Sequence, residues 1–81
     1  MKVDIYQSTT NSSKYLSVKA GQILDAIDVP DPDYKTVSPS KLGVEINPEQ
    51  PRIAYDPKEA IAAIESQGYY LHGVSTSFNE K

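Results

Sequence analysis

Residues 56–74 read DPKEAIAAIESQGYYLHGV, and the fold depends on where this stretch changes period. Asp56 is a carboxylate placed to accept from free amides, Pro57 presets the first helical φ, and Glu59 adds negative charge to the first turn. These are the groups an open helix start lacks. AIAAIESQ continues with good helix formers, and Pro57, Ala60, Ile61 and Ile64 make a narrow apolar stripe. Gly68 suits the left-handed position that closes a helix, so the pattern predicts a helix over 57–67. Beyond Gly68 the period becomes two, the signature of a strand. Alternation then sends Tyr69 and Leu71 toward the helix, and Tyr70 and His72 toward the other face.

Upstream, RIAY (52–55) has strand character, so 52–75 is expected to run strand–helix–strand, with a connection long enough for a parallel crossover. Near the start, KVDIYQ (2–7) alternates Val3 and Ile5 against Lys2, Asp4 and Tyr6. KYLSVK (14–19) alternates Leu16 and Val18 against Tyr15 and Ser17. The polar cluster STTNSS (8–13) between them predicts an antiparallel hairpin over 2–19. Residues 22–51 carry five of the six prolines, each removing a backbone donor and restricting its predecessor. An irregular segment is expected there, relieved by a short strand at 43–46, and the polar end 76–81 is expected to fray.

The expected fold is therefore α+β: one domain with a three- to four-stranded, mainly antiparallel sheet and the 57–67 helix packed on one face. Its expected core is Val3, Ile5, Leu16, Val18, Ile61, Ile64, Tyr69 and Leu71. At 81 residues and 38% apolar composition the chain is near the size at which a core alone suffices, which raises the prospect of a homodimer.

Several functions are disfavoured by composition. The absence of cysteine removes disulfides and thiolate chemistry. Eight basic residues are scattered singly in a chain of net charge −3, so neither a nucleic-acid surface nor attraction to an anionic membrane is expected. No apolar run has the length of a secretion signal or a membrane span, which points to a cytoplasmic setting. Asn11-Ser12-Ser13 fits the glycosylation pattern, but is expected to stay unmodified there.

His72, the single histidine, has no orienting partner at a fixed spacing, and no phosphate loop or nucleophile elbow is present. No catalytic residue and no cofactor are assigned. Two candidate sites remain. Tyr6, Tyr15, Tyr70 and His72 are expected on one sheet face, where aromatic side chains suit a protein–protein contact or self-association. Asp25, Asp28, Asp31 and Asp33 crowd one loop, as a hard cation requires, although the calcium-loop glycine and closing glutamate are missing. The leading expectation is a non-enzymatic interaction or regulatory module. The alternative is a small-molecule or divalent-cation binder using loop 25–33.

The ends also carry a likeness. DIYQS with KYLSVKAG, followed by DPKEAIAAIESQGYYLHGV, resembles the small proteobacterial proteins of the YcgL-domain family, whose function is unknown. The shared outline is a first strand with Tyr6, the Tyr15-Leu16-x-Val18 strand, and a helix ending in Gln67-Gly68-Tyr69-Tyr70-Leu71. The proline-rich middle is unmatched. The resemblance implies a small α/β sandwich-like domain in a bacterial cytoplasm and carries no activity across.

Overall fold

A computed structural model of the chain describes residues 1–49 and 56–73. Among these residues, four strands, β1 (Lys2–Ser8), β2 (Lys14–Lys19), β3 (Val37–Glu45) and β4 (Tyr70–Gly73), accompany one α-helix, α1 (Pro57–Gln67). The strands form a single sheet in the order β3-β1-β2-β4, and each neighbouring pair is antiparallel. The small α+β fold is thus the expected one. The proposed strand at 52–55 and the frayed end at 76–81 lie outside the described residues. Among the described residues, β4 pairs with β2, antiparallel.

Helix α1 begins and ends as its sequence predicts. The Asp56 carboxylate accepts from the amides of Lys58 (3.0 Å) and Glu59 (3.2 Å). Gly68 takes φ 95° and donates its amide to the Ile64 carbonyl at 2.9 Å. Asp56→Ala should therefore cost roughly 1 kcal/mol, read as a lower urea midpoint, while Asp56→Asn or Asp56→Ser recovers most of it. The hairpin turn is built by side chains standing in for backbone acceptors. Ser8 Oγ accepts from the amides of Thr10 and Asn11, and Asn11 Oδ1 accepts from the Ser13 amide.

The middle of the chain is more regular than its prolines suggest. Two 3₁₀ turns, Leu24–Ala26 and Pro32–Tyr34, precede β3, which runs far beyond the short strand expected at 43–46. Proline is tolerated because β3 stands at the sheet's edge, where a missing amide leaves no neighbour unpaired. Its pairing with β1 shifts register between Val3 and Ile5 and again between Ile5 and Tyr6. Gly43, at φ 67°, gives the strand its bend.

Register decides which side chains share a face, and here the expected core is corrected. Val3 pairs with Lys19, Ile5 with Ser17, and Gln7 with Tyr15, while Tyr6 opposes Leu16. Directly opposed residues point the same way, so Val3 and Ile5 lie on one face and Leu16 and Val18 on the other. The same rule puts Tyr70, opposite Ser17, on the Val3 face, and Leu71, opposite Leu16, on the reverse. The assignment of Leu71 to the helix side, and of Tyr70 and His72 to the other, is overturned. Tyr69 precedes the strand, and Leu71 is 36% exposed.

The sheet is covered on both sides. On the helix side, Val3, Ile46, Ala60 and Ile64 form a buried cluster, with Met1, Ile5, Val44, Ile61 and Tyr70 packed against it. On the reverse, Leu16 and Val18 are buried, and the segment bearing the two 3₁₀ turns lies over Leu16.

Candidate functional site

The four residues expected to share an aromatic face are divided by the register. Tyr6 stands opposite Leu16 on the loop side, whereas Tyr15 and His72, directly opposed, share the helix side with Tyr70. The latter three form a stack: His72 lies 5.9 Å from the Tyr15 ring at 24° and 5.2 Å from the Tyr70 ring at 16°. Tyr70 donates its hydroxyl to Glu59 Oε1 of α1 at 2.8 Å, so the helix holds one end of the row. His72 Nε2 lies 2.8 Å from Ser17 Oγ. Burial pushes the imidazole pKa down to about 4, so it is neutral near pH 7. Ser17 is fully buried, and no substrate atom can reach its hydroxyl. This row is a structural seam joining β2, β4 and α1, not a free four-residue face.

The acidic loop is likewise divided. Lys14 Nζ grips Asp31 Oδ2 at 2.6 Å and Asp33 Oδ2 at 3.0 Å. Those two hydrogen bonds raise the Lys14 pKa above its ordinary range. The Lys14 bond, seconded by the Asp33 amide, lowers that of Asp31. Further bonds bind this stretch to the hairpin: Ser8 Oγ donates to the Asp33 carbonyl at 2.6 Å, and Thr10 Oγ1 donates to Asp33 Oδ1 at 3.2 Å. Two of the four proposed cation ligands are therefore committed to an internal ammonium. Asp25 and Asp28 stand apart from them, and no three His, Cys, Asp or Glu gather as metal ligands among the described residues. The divalent-cation reading of Asp25, Asp28, Asp31 and Asp33 as one set is corrected accordingly.

Between the loop and the sheet lies a cavity of about 260 Å³. Leu16 and Val37 contribute from the sheet; Leu24, Asp25, Ile27, Asp28 and Val29 line it from the first turn and the residues just after that turn; Tyr34 and Lys35 line it from the end of the second. Its lining mixes aliphatic side chains with two carboxylates and an ammonium, a composition that suits an apolar group with a polar attachment. Burial raises the Tyr34 phenol pKa above its usual range. Ile23, which precedes the lining residue Leu24 in sequence, is 70% exposed.

The loop is pinned at its other end by Asp4. Its carboxylate accepts from the Gly21 amide at 3.0 Å and from the Gly43 amide at 2.8 Å, joining the exit of β2 to the bend of β3. Both glycines have positive φ, 86° and 67°. Asp4→Ala removes two charge-assisted bonds and should cost about 1–3 kcal/mol. Faster amide hydrogen exchange at Gly21 and Gly43 would report the loss locally.

Neither Lys14, Asp4 nor Ser8 was singled out from the sequence. The available signal was weak: Asp4 interrupts the aliphatic residues of β1, and Gly21 and Gly43 are glycines at the ends of strand-like runs. No protein-family model, curated protein or solved structure matches the chain. Among the described residues, no helix is long and apolar enough to cross a membrane.

Proposed function

We propose that this chain is a non-enzymatic binding module, and that its recognition surface is the loop side of the sheet. The observation that carries this reading is the cavity between Leu16 and the two 3₁₀ turns, in a segment that also leaves Ile23 exposed. The aromatic row supports the surface from behind by fixing β4 to β2. A hollow lined by aliphatic side chains and a few charged groups can receive a side chain of a partner, and a central buried contact of that kind supplies most of the affinity of a docking site. The balance of charge and the likeness to YcgL-domain proteins support, as proposals, a bacterial cytoplasmic setting and a partner other than nucleic acid.

The test is capture from the native cell by the full chain and by two loop variants, Ile23→Ser and Ile27→Asp. Identified proteins retained by the wild type and lost by both variants support the reading. Identical retention by all three removes it. Circular dichroism on each variant separates a lost surface from a lost fold.

The cavity also favours a second reading, a small-molecule site using Asp25 and Asp28. Ligand binding to the folded state must raise the melting midpoint by mass action. A metabolite screen that produces no shift at saturating concentrations discards it.

A further inference from the structure

Between Gly21 and Thr36 the chain crosses the loop side of the sheet without burying one of its own residues. Beneath it, Leu16 is 3% exposed. Leu24, Ile27 and Val29 line the cavity but stay half-buried, and the cavity of about 260 Å³ lies between them and Leu16. Packed layers of a protein leave few voids larger than a water molecule. This stretch therefore rests over the sheet without interlocking with it, unlike α1, whose Ala60 and Ile64 are buried on the opposite side.

What holds the stretch is polar and sits at its two ends. At the entry, the Gln22 amide donates to the Lys19 carbonyl at 3.0 Å, and the Gly21 amide to Asp4. At the exit, Lys14 grips Asp31 and Asp33, Ser8 Oγ donates to the Asp33 carbonyl, and the Thr9 amide donates to the Thr36 carbonyl at 3.0 Å. From Ile23 to Pro30 the hydrogen bonds close on the stretch itself. The Ala26 amide donates to the Ile23 carbonyl at 3.1 Å, and the Ile27 amide to the Leu24 carbonyl at 3.0 Å. No hydrogen bond or ion pair among the described residues ties 23–30 to the sheet or to α1.

The two ends also differ in stiffness. Gly21, at φ 86°, supplies a hinge, whereas Pro30 and Pro32 flank Asp31 with fixed φ. Segments with few buried contacts and only local hydrogen bonds have the lowest opening free energies in a fold, and binding loops are drawn from them.

We propose that residues 23–30 are a strap: it lifts off Leu16 as a unit while the sheet, α1 and the anchor at 31–36 stay closed, and the lifted state gives access to the cavity. Its part in access rests on the cavity being a binding site; the motion itself does not.

The chain has no cysteine, so a single introduced thiol is an unambiguous probe. Labelling of Leu16→Cys by an aromatic disulfide reagent is compared with labelling of Val3→Cys, whose position is fully buried on the helix side. Each rate is corrected for the reactivity of the unfolded variant. The Leu16→Cys thiol should react at least about 100-fold faster, with less than roughly half the urea dependence, because lifting a strap exposes far less surface than unfolding does. Adding Asp4→Ala, which releases Gly21, should raise that rate at least about threefold beyond any rise at Val3→Cys. Circular dichroism checks each fold; if Leu16→Cys does not fold, Val37→Cys, which also lines the cavity from the sheet, takes its place. Equal protection and equal urea dependence at the two positions overturn the proposal, since Leu16 is then released only by global unfolding. A fast rate indifferent to Asp4→Ala overturns it too, since the reagent then enters through a standing mouth. If the strap lifts as expected while neither capture nor the metabolite screen finds an occupant for the cavity, the binding-module reading falls and the motion stands.

Discussion

Ile46→Ala should lower the free energy of unfolding by roughly 3–4 kcal/mol, within the range for deleting a fully buried isoleucine side chain to alanine. Ile46 is 1% exposed and packs in the cluster of Val3, Ala60 and Ile64, where α1 rests on the sheet. Its backbone is held from both sides of the peptide group: the Ile46 amide donates to the Met1 carbonyl at 2.8 Å, and the Met1 ammonium donates to the Ile46 carbonyl at 3.1 Å. A backbone fixed in this way cannot close over a void, so the upper part of the range applies. A domain of this length commonly has about 4–12 kcal/mol in total. The variant is therefore expected to be close to unfolding at 37 °C. Urea titration followed by circular dichroism measures it, with Leu42→Ala as comparison. Leu42 is 60% exposed, and its truncation should change stability by less than about 0.5 kcal/mol. Near-equal midpoints for Ile46→Ala and wild type would show that the helix does not depend on this contact.

The contrast between these two residues shows what could be read from the chain. Local signals were sufficient wherever a group acts on its neighbours in sequence: the Asp56 cap, the Gly68 stop and the polar turn at 8–13 lie where their chemistry requires. The helix side of the sheet was partly legible, since Val3, Ile61 and Ile64 were expected there. Ile46 was not: it was placed in the short strand expected at 43–46 but left out of the core, because its burial depends on α1 folding back over the sheet rather than on its neighbours in sequence. Pro39 is accommodated at an edge, and nothing in its immediate sequence says that β3 is an edge strand. Face assignment failed for a different reason. Each strand's alternation fixes which of its own residues agree, but the phase between strands is set by register, a long-range property. One residue of phase in β2 moved Leu16 and Val18 to the loop side, and with them the place where a second hydrophobic layer forms. That choice created the cavity, and it separated Tyr6 from Tyr15, Tyr70 and His72. The grip of Lys14 on Asp31 and Asp33 was hidden for the same reason, since the spacing between them means nothing until the loop folds back over β2.

Acidification should destabilise the fold, and His72 should account for the early part of that loss. Desolvation lowers the folded-state imidazole pKa to about 4, whereas the unfolded value is near 6.5. A depressed histidine pKa means that protons bind the unfolded chain more readily than the folded one. The contribution is thus fully present above about pH 6.5 and is lost as pH falls from there toward 4. At 1.36 kcal/mol per pKa unit, the fall from about pH 7 to about pH 5 would be at most ~2 kcal/mol; partial solvent exposure of the ring reduces this to about 1 kcal/mol. Two carboxylates act in the same direction but lower on the scale. Asp31, held down by its hydrogen bond to Lys14, and Glu45, held down by the N-terminal ammonium, contribute stability above their unfolded values and lose it only as the solution becomes more acid still. Urea midpoints between about pH 7 and about pH 5 therefore isolate the histidine. In His72→Gln the slope over this window should flatten, even though lost stacking on Tyr15 and Tyr70 lowers the plateau itself. An NMR titration of the wild-type imidazole supplies the independent check. A midpoint close to 6.5, or a slope that survives in His72→Gln, would mean that the ring stands in water and that the seam between β2, β4 and α1 is open.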